Sequence, residues 1–297
     1  MKIGLGINLG FAINKYIEPE VWTRVTACEI GLQKVQFVAD LLNPSLPDNY
    51  IDSQVKRIRA ACEVYGISVV SVFTSTFTRI NLFLHPDKEA REYWFKWFTR
   101  FADIGSQLGA KNIGSHFGIF TFDAYENRYE ELLEDCVRFW QKLSYYAADK
   151  GYECLLFEPM SIPREMGNTV AETRKLMDMV NQNSAIPFKC ALDVGHAPDP
   201  SERDPYPWIE QLGAVSPIIH LQQTVLHKSN HWPFIKEYNK QGIIKPDKVF
   251  AALKKSGAKE ADLIFEISHR EHFDTDFRII QDLKESADYW KGALNCL

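Results

Sequence analysis

Short apolar runs rich in β-branched residues alternate with longer amphipathic stretches from one end of the chain to the other. The runs KIGLGI (2–7), KVQFVA (34–39), ISVVSVF (67–73), KNIGSH (111–116), ECLLFE (153–158), FKCALD (188–193), SPIIHL (216–221) and DLIFEI (262–267) have the length and composition of buried strands. Between them, helices are predicted near 18–30, 50–65, 86–108, 123–149, 169–182, 205–212, 246–256 and 275–294. Gly66, Gly109, Gly151 and Gly257 follow four of these helices where a left-handed cap is expected, and Pro86 opens one. The stripe Trp94, Trp97, Phe98 and Phe101 reads as a packed helix face.

Eight strands, each followed by a helix, with no flexible linker and no low-complexity tract, predict a single (β/α)8 TIM barrel domain spanning 1–297. A doubly wound open sheet is the alternative, but the glycines of GLGINLG lack the spacing of a dinucleotide fingerprint. In such a barrel the chemistry gathers at the carboxyl ends of the strands. Glu158 ends the fifth, Asp193 ends the sixth, His220 lies late in the seventh and Glu266 late in the eighth. Three carboxylates sharing one buried spot repel unless a cation or bound protons offset them. Three oxygen ligands and one imidazole suit Mn²⁺, Mg²⁺ or Co²⁺, with Zn²⁺ left open. His116 closes the fourth strand, His196 follows Asp193 across a glycine turn, and Gln222 shares the strand face of His220; all three are candidate substrate contacts. Arg79, Arg164, Lys228 and Arg270 fall in loops at this end and could meet an anionic substrate group. NHWPF (230–234) sits in a long connection read as a lid or subunit-contact loop.

Composition narrows the choice. The chain is 45% hydrophobic and 25% charged, with 34 basic against 39 acidic residues and a net charge of −5, a poor footprint for nucleic acid. The six cysteines form no CxxC pair, and several lie in apolar segments, so free buried thiols in a reducing compartment are expected. No stretch reads as a secretory signal or approaches the ~18 apolar residues of a membrane span, so a cytoplasmic protein without membrane partners is expected. A homo-oligomer is compatible with the sequence.

FEP around Glu158, GNTVAET with Asn168 and Thr169, LDVGH with Asp193 and His196, IIHLQQT with His220, and IFEIS with Glu266 together resemble the sugar isomerase/epimerase superfamily of xylose isomerase-like barrels. The similarity is to the ketose 3-epimerase and hydroxypyruvate isomerase branch and spans essentially the whole chain. It implies one divalent metal held by Glu158, Asp193, His220 and Glu266, with Glu158 and Glu266 also moving protons. The 3-epimerases usually carry an arginine six residues after the metal histidine, where this chain has Leu226, followed by His227 and Lys228.

The expected activity is isomerisation or epimerisation of a small ketose through an enediolate, one carboxylate removing the proton beside the carbonyl and the other returning it. Decarboxylation of a 3-oxo sugar acid would use the same electron sink. An apurinic endonuclease-like phosphodiesterase shares the barrel but needs more metal ligands and a basic surface. A sugar-binding regulatory barrel without turnover is a third reading.

Overall fold

The computed structural model describes residues 1–74, 78–197, 204–269 and 277–296. Its eight strands follow one another in chain order around a closed parallel barrel, with helices between them. They are β1 (Lys2–Asn8), β2 (Lys34–Val38), β3 (Ser68–Phe73), β4 (Asn112–His116), β5 (Cys154–Glu158), β6 (Phe188–Asp193), β7 (Ile218–Leu221) and β8 (Glu260–Phe265). The helices are α1 (Pro19–Arg24), α2 (Asp48–Tyr65), α3 (Lys88–Gln107), α4 (Phe122–Asn127), α5 (Tyr129–Asp149), α6 (Val170–Asn181), α7 (Pro205–Leu212), α8 (Lys236–Gln241), α9 (Pro246–Ser256) and α10 (Ile279–Leu294).

By internal contacts the chain divides into two compact units. The first comprises Met1–Gln36, Lys56–Ser68 and Leu192–Leu297. Here β1 pairs with β2 on one side and β8 on the other, with Leu5 opposite Leu263 and Ile7 opposite Phe265. β7 continues the ladder, with His220 opposite Ile264. Trp290 of α10 anchors the core, its ring 5.2 Å from Phe234, 5.6 Å from Phe250 and 6.4 Å from Phe265.

The second unit comprises Phe37–Val55 and Val69–Ala191. β4 is flanked by β3 and β5, and β5 by the first residues of β6. Phe157 and Phe188 stack with centroids 5.1 Å apart, and Trp140 of α5 closes on Phe188 at 5.1 Å. Burying each such ring stabilises the fold by about 1.5–3 kcal/mol. α3 starts where the Asp87 carboxylate accepts from the backbone N–H of Glu89 and Ala90, and it buries Trp97, Phe98 and Phe101 as the stripe predicts.

Where elements depart from expectation, the causes are local. The helix expected over 18–30 is α only to Arg24; Val25–Ile30 widens into a π-helix that ends at Gly31, φ 79°. The helix expected over 123–149 is broken at Arg128, whose φ of −137° separates α4 from α5. α8 was not expected, because KEYNKQ has no apolar face, and it carries no buried residue. The start of the helix expected at 275 falls partly outside the described residues. The NHWPF segment is no open lid: Trp232 bridges Gln223 antiparallel, and Phe234 is 1% exposed in the core, its N–H donating to Ser286 Oγ at 2.8 Å. Of the cysteines, Cys136, Cys154 and Cys190 are buried, whereas Cys28 and Cys296 are exposed; all six are free thiols. Among the described residues no helix is long and apolar enough to cross a membrane.

Candidate metal centre

Three polar side chains of the first unit lie at or near the carboxyl ends of strands. Asp193 is the last residue of β6, His220 lies inside β7, and Glu266 follows β8, its N–H extending the ladder to Leu221 O at 2.9 Å. Asp193 is 1% and His220 0% exposed, while the Glu266 side chain is 25% exposed. His220 Nδ1 lies 3.3 Å from Glu266 Oε2, and one ligand-type atom from each of the three lies within 4.8 Å of the others. The two oxygens of Asp193 differ. Oδ1 accepts from the Gly195 N–H at 2.5 Å and from Gln222 Nε2 at 2.9 Å. Oδ2 is buried and accepts no hydrogen bond from any described residue. A buried carboxylate oxygen left without a donor is costly, and a divalent cation satisfies it. The donor set of carboxylates and imidazole therefore fits the metal that the sequence implies.

Around this trio lies a fixed polar shell. Asn8, at the end of β1, accepts from Gly10 N–H at 2.7 Å and donates through Nδ2 to Gln36 Oε1 at 2.8 Å, with a weaker contact to Glu266 Oε1 at 3.4 Å. His231, at φ 50°, folds back over Glu266, its Nδ1 lying 3.0 Å from the Glu266 carbonyl oxygen. A carbonyl only accepts, so Nδ1 carries the proton and Nε2 presents its lone pair. Gln222, expected to contact substrate, is fully buried with its carboxamide engaged by protein groups: Oε1 accepts from the His231 N–H at 2.6 Å, and Nε2 faces Asp193, Ser229 and His231. The rings of His196 and His231 stand edge to face at 5.7 Å.

In the second unit, Glu158 is the last residue of β5, 8% exposed, and pairs in register with His116 of β4. His116 Nε2 lies 3.0 Å from the Thr78 carbonyl, which fixes the proton on Nε2; Nδ1 is buried and receives no hydrogen bond from any described residue. Complete burial lowers the His116 pKa from 6.5 to about 4, against smaller opposing contributions from the Thr78 hydrogen bond and the Glu165 and Glu158 charges. Of the loop cations, Arg79 is paired with buried Glu165 at 2.7 Å, and Arg164 donates to Phe120 O and lies over the Phe122 ring at 5.0 Å. Lys228, in the first unit, is exposed and makes no ion pair among the described residues. Arg270 lies outside the described residues.

The profile of the xylose isomerase-like TIM barrel family matches residues 26–294. The chain belongs to that family. This xylose isomerase-like barrel is similar end to end to the D-erythrulose 1-phosphate 3-epimerase of Brucella abortus (strain 2308), at 33% identity over 297 residues that span 98% of this chain and 96% of the relative. Among solved structures it resembles a proposed xylose isomerase from Rhodospirillum rubrum ATCC 11170, with TM-score 0.88 and 24% identity over 98% of this chain and 99% of the other. It also resembles a D-psicose 3-epimerase from Clostridium cellulolyticum H10, with TM-score 0.73 and 14% identity over 98% and 99%. At these identities the two structures bear on the fold alone.

Asn8 and His231 were not singled out from the sequence of this xylose isomerase-like protein. Asn8 caps the turn Leu9–Ala12, and its reach to Glu266 crosses 258 residues of chain. His231 comes near Glu266 only because the connection after β7 turns back on itself at the Gln223–Trp232 bridge.

Proposed function

We propose that this protein is a 3-epimerase of a short-chain ketose phosphate, dependent on one divalent cation held by Glu158, Asp193, His220 and Glu266. The observation that carries this reading is the meeting of buried Asp193 and partly exposed Glu266 at buried His220, in a chain that aligns end to end with a ketose-phosphate 3-epimerase. Glu158 is proposed as the fourth ligand because it is a buried carboxylate closing β5 and stands in one of the motifs that carry the family resemblance. A bound cation would supply positive charge toward the substrate's carbonyl and neighbouring hydroxyl oxygens, making the C3 proton more acidic.

The side chains do the rest. Glu158 or Glu266 removes the C3 proton and the other returns one to the opposite face, so that configuration inverts while the carbonyl stays in place. Asn8 steadies the Glu266 carboxylate against Gln36. His116 offers a lone pair at Nδ1, because Thr78 holds its other nitrogen protonated, and so it accepts a hydrogen bond from a substrate hydroxyl. His196 is a second substrate contact. Lys228, exposed two residues beyond Leu226, is the candidate cation for the phosphate.

The test is incubation with erythrulose 1-phosphate, pentulose phosphates and their unphosphorylated ketoses in D₂O with Mn²⁺, followed by NMR. Deuterium is expected at C3 together with the C3 epimer, and faster for the phosphates. Exchange at C1 with formation of an aldose would make the enzyme an isomerase, and no exchange in any ketose would end the proposal.

A further inference from the structure

A second set of ligand-type atoms overlaps the first. Asp193, His196 and His231 each bring one within 4.8 Å of the others, and Asp193 is common to both sets. Two ions bridged by Asp193 would be the outcome if both sets were open. A bridging ion would need Oδ1 of Asp193 and the lone pair on His231 Nε2, and both are already taken by one amino group. Gln222 Nε2 is 2.9 Å from Asp193 Oδ1 and 3.2 Å from His231 Nε2, and Ser229 Oγ at 2.8 Å shares one of its two hydrogens.

We infer that the Gln222 carboxamide holds the centre to a single ion by putting a neutral N–H donor where a second divalent cation would bridge Asp193 and His231. The inference rests on the ion proposed above. It concerns the number of ions, and this separates it from the question of whether one binds.

The carboxamide cannot turn or withdraw to make room. Its other end is fixed, since Oε1 accepts from the His231 N–H at 2.6 Å; a flipped amide would set N–H against N–H there and oxygen against oxygen at Asp193. The wall behind it is closed as well, because a Cβ built on Gly195 would lie 2.3 Å from the carboxamide carbon. Gly195 is thus the residue that lets Gln222 reach Asp193. The arrangement also divides the labour of Asp193. Oδ1 is spent on two N–H groups, and only Oδ2 remains for an ion.

Equilibrium dialysis against excess Mn²⁺, with metal counted by mass spectrometry and electron paramagnetic resonance, tests this directly. The wild-type protein is expected to take up one equivalent per chain, with the spectrum of isolated Mn²⁺. Gln222→Glu keeps the oxygen that accepts from His231 and replaces the donor by an anionic oxygen; two equivalents and the signature of a spin-coupled pair are expected. Adding His231→Ala to that variant should return the count to one. Gln222→Ala, which empties the space, should also rise from one to two, and it serves if the glutamate variant does not fold. Two equivalents in the wild type, or one in a folded Gln222 variant, overturns the inference. No Mn²⁺ in the wild type would remove the ion itself, a failure of the functional reading rather than of the role given to Gln222.

Discussion

His220 Nδ1 stands 3.3 Å from Glu266 Oε2, and the imidazole is completely buried while the carboxylate is one quarter exposed. The buried imidazole, this carboxylate and Asp193, whose Oδ2 lacks a donor, form a donor set that could hold a cation. Chelation is therefore expected to destabilise the fold. At a free metal concentration 100 times the dissociation constant, binding stabilises by about 2.7 kcal/mol. Thermal melts with EDTA and then with Mn²⁺ or Mg²⁺ should show a fall and a recovery of Tm; identical melts would argue that no ion sits there.

Glu266→Gln preserves the shape of the side chain but removes one of the two carboxylates proposed to carry the proton. Activity and C3 deuterium exchange should drop by roughly 10²–10⁴-fold with little change in Tm. Asn8→Ala leaves the carboxylate but loosens it, and the expected loss is smaller, about 10–100-fold. Comparing kcat and melts for the two variants separates the proton carrier from its support. Equal losses would assign Asn8 more than a steadying part.

His116 gives a pH prediction. Its folded pKa of about 4 lies below the ordinary 6.5, so the unfolded chain binds the proton first. Its contribution is fully present above pH 6.5 and is lost as pH falls toward 4, by about 3 kcal/mol in all. Urea denaturation of the wild type and of His116→Asn across this range should show the two stabilities approaching each other as pH falls. Parallel curves would mean that the imidazole is charged in the folded protein.

Phe234 is a core residue although it sits in a long connection. Its ring is 1% exposed and meets Trp290 edge to face at 5.2 Å. Phe234→Ala should cost about 3–5 kcal/mol in urea denaturation. A loss under about 1 kcal/mol would show that the segment does not depend on this anchor.

The sequence disclosed most of the strands because parallel barrel strands are buried on both faces, and β-branched runs such as VVSVF and LIFEI have few other uses. Glu158, Asp193, His220 and Glu266 were visible for a related reason, as polar residues punctuating apolar runs. The parts that stayed hidden depend on chain reversal. Gln222 reads as one more polar residue on the His220 face until the connection returns at Trp232 and lays His231 against it. α8 was hidden because nothing in KEYNKQ is apolar enough to show a buried face, and the break at Arg128 leaves no mark in the hydrophobic period.

The hairpin formed where Gln223 meets Trp232 has one more effect. Its base is pinned to Asp193 and Glu266 through Gln222, Ser229 and His231, while its tip, Leu226 to Lys228, is exposed. Changes at the tip can thus be absorbed without disturbing the floor beneath. Evolution, or a protein engineer, has here a stretch whose sequence can vary while the hydrogen-bonded floor stays intact.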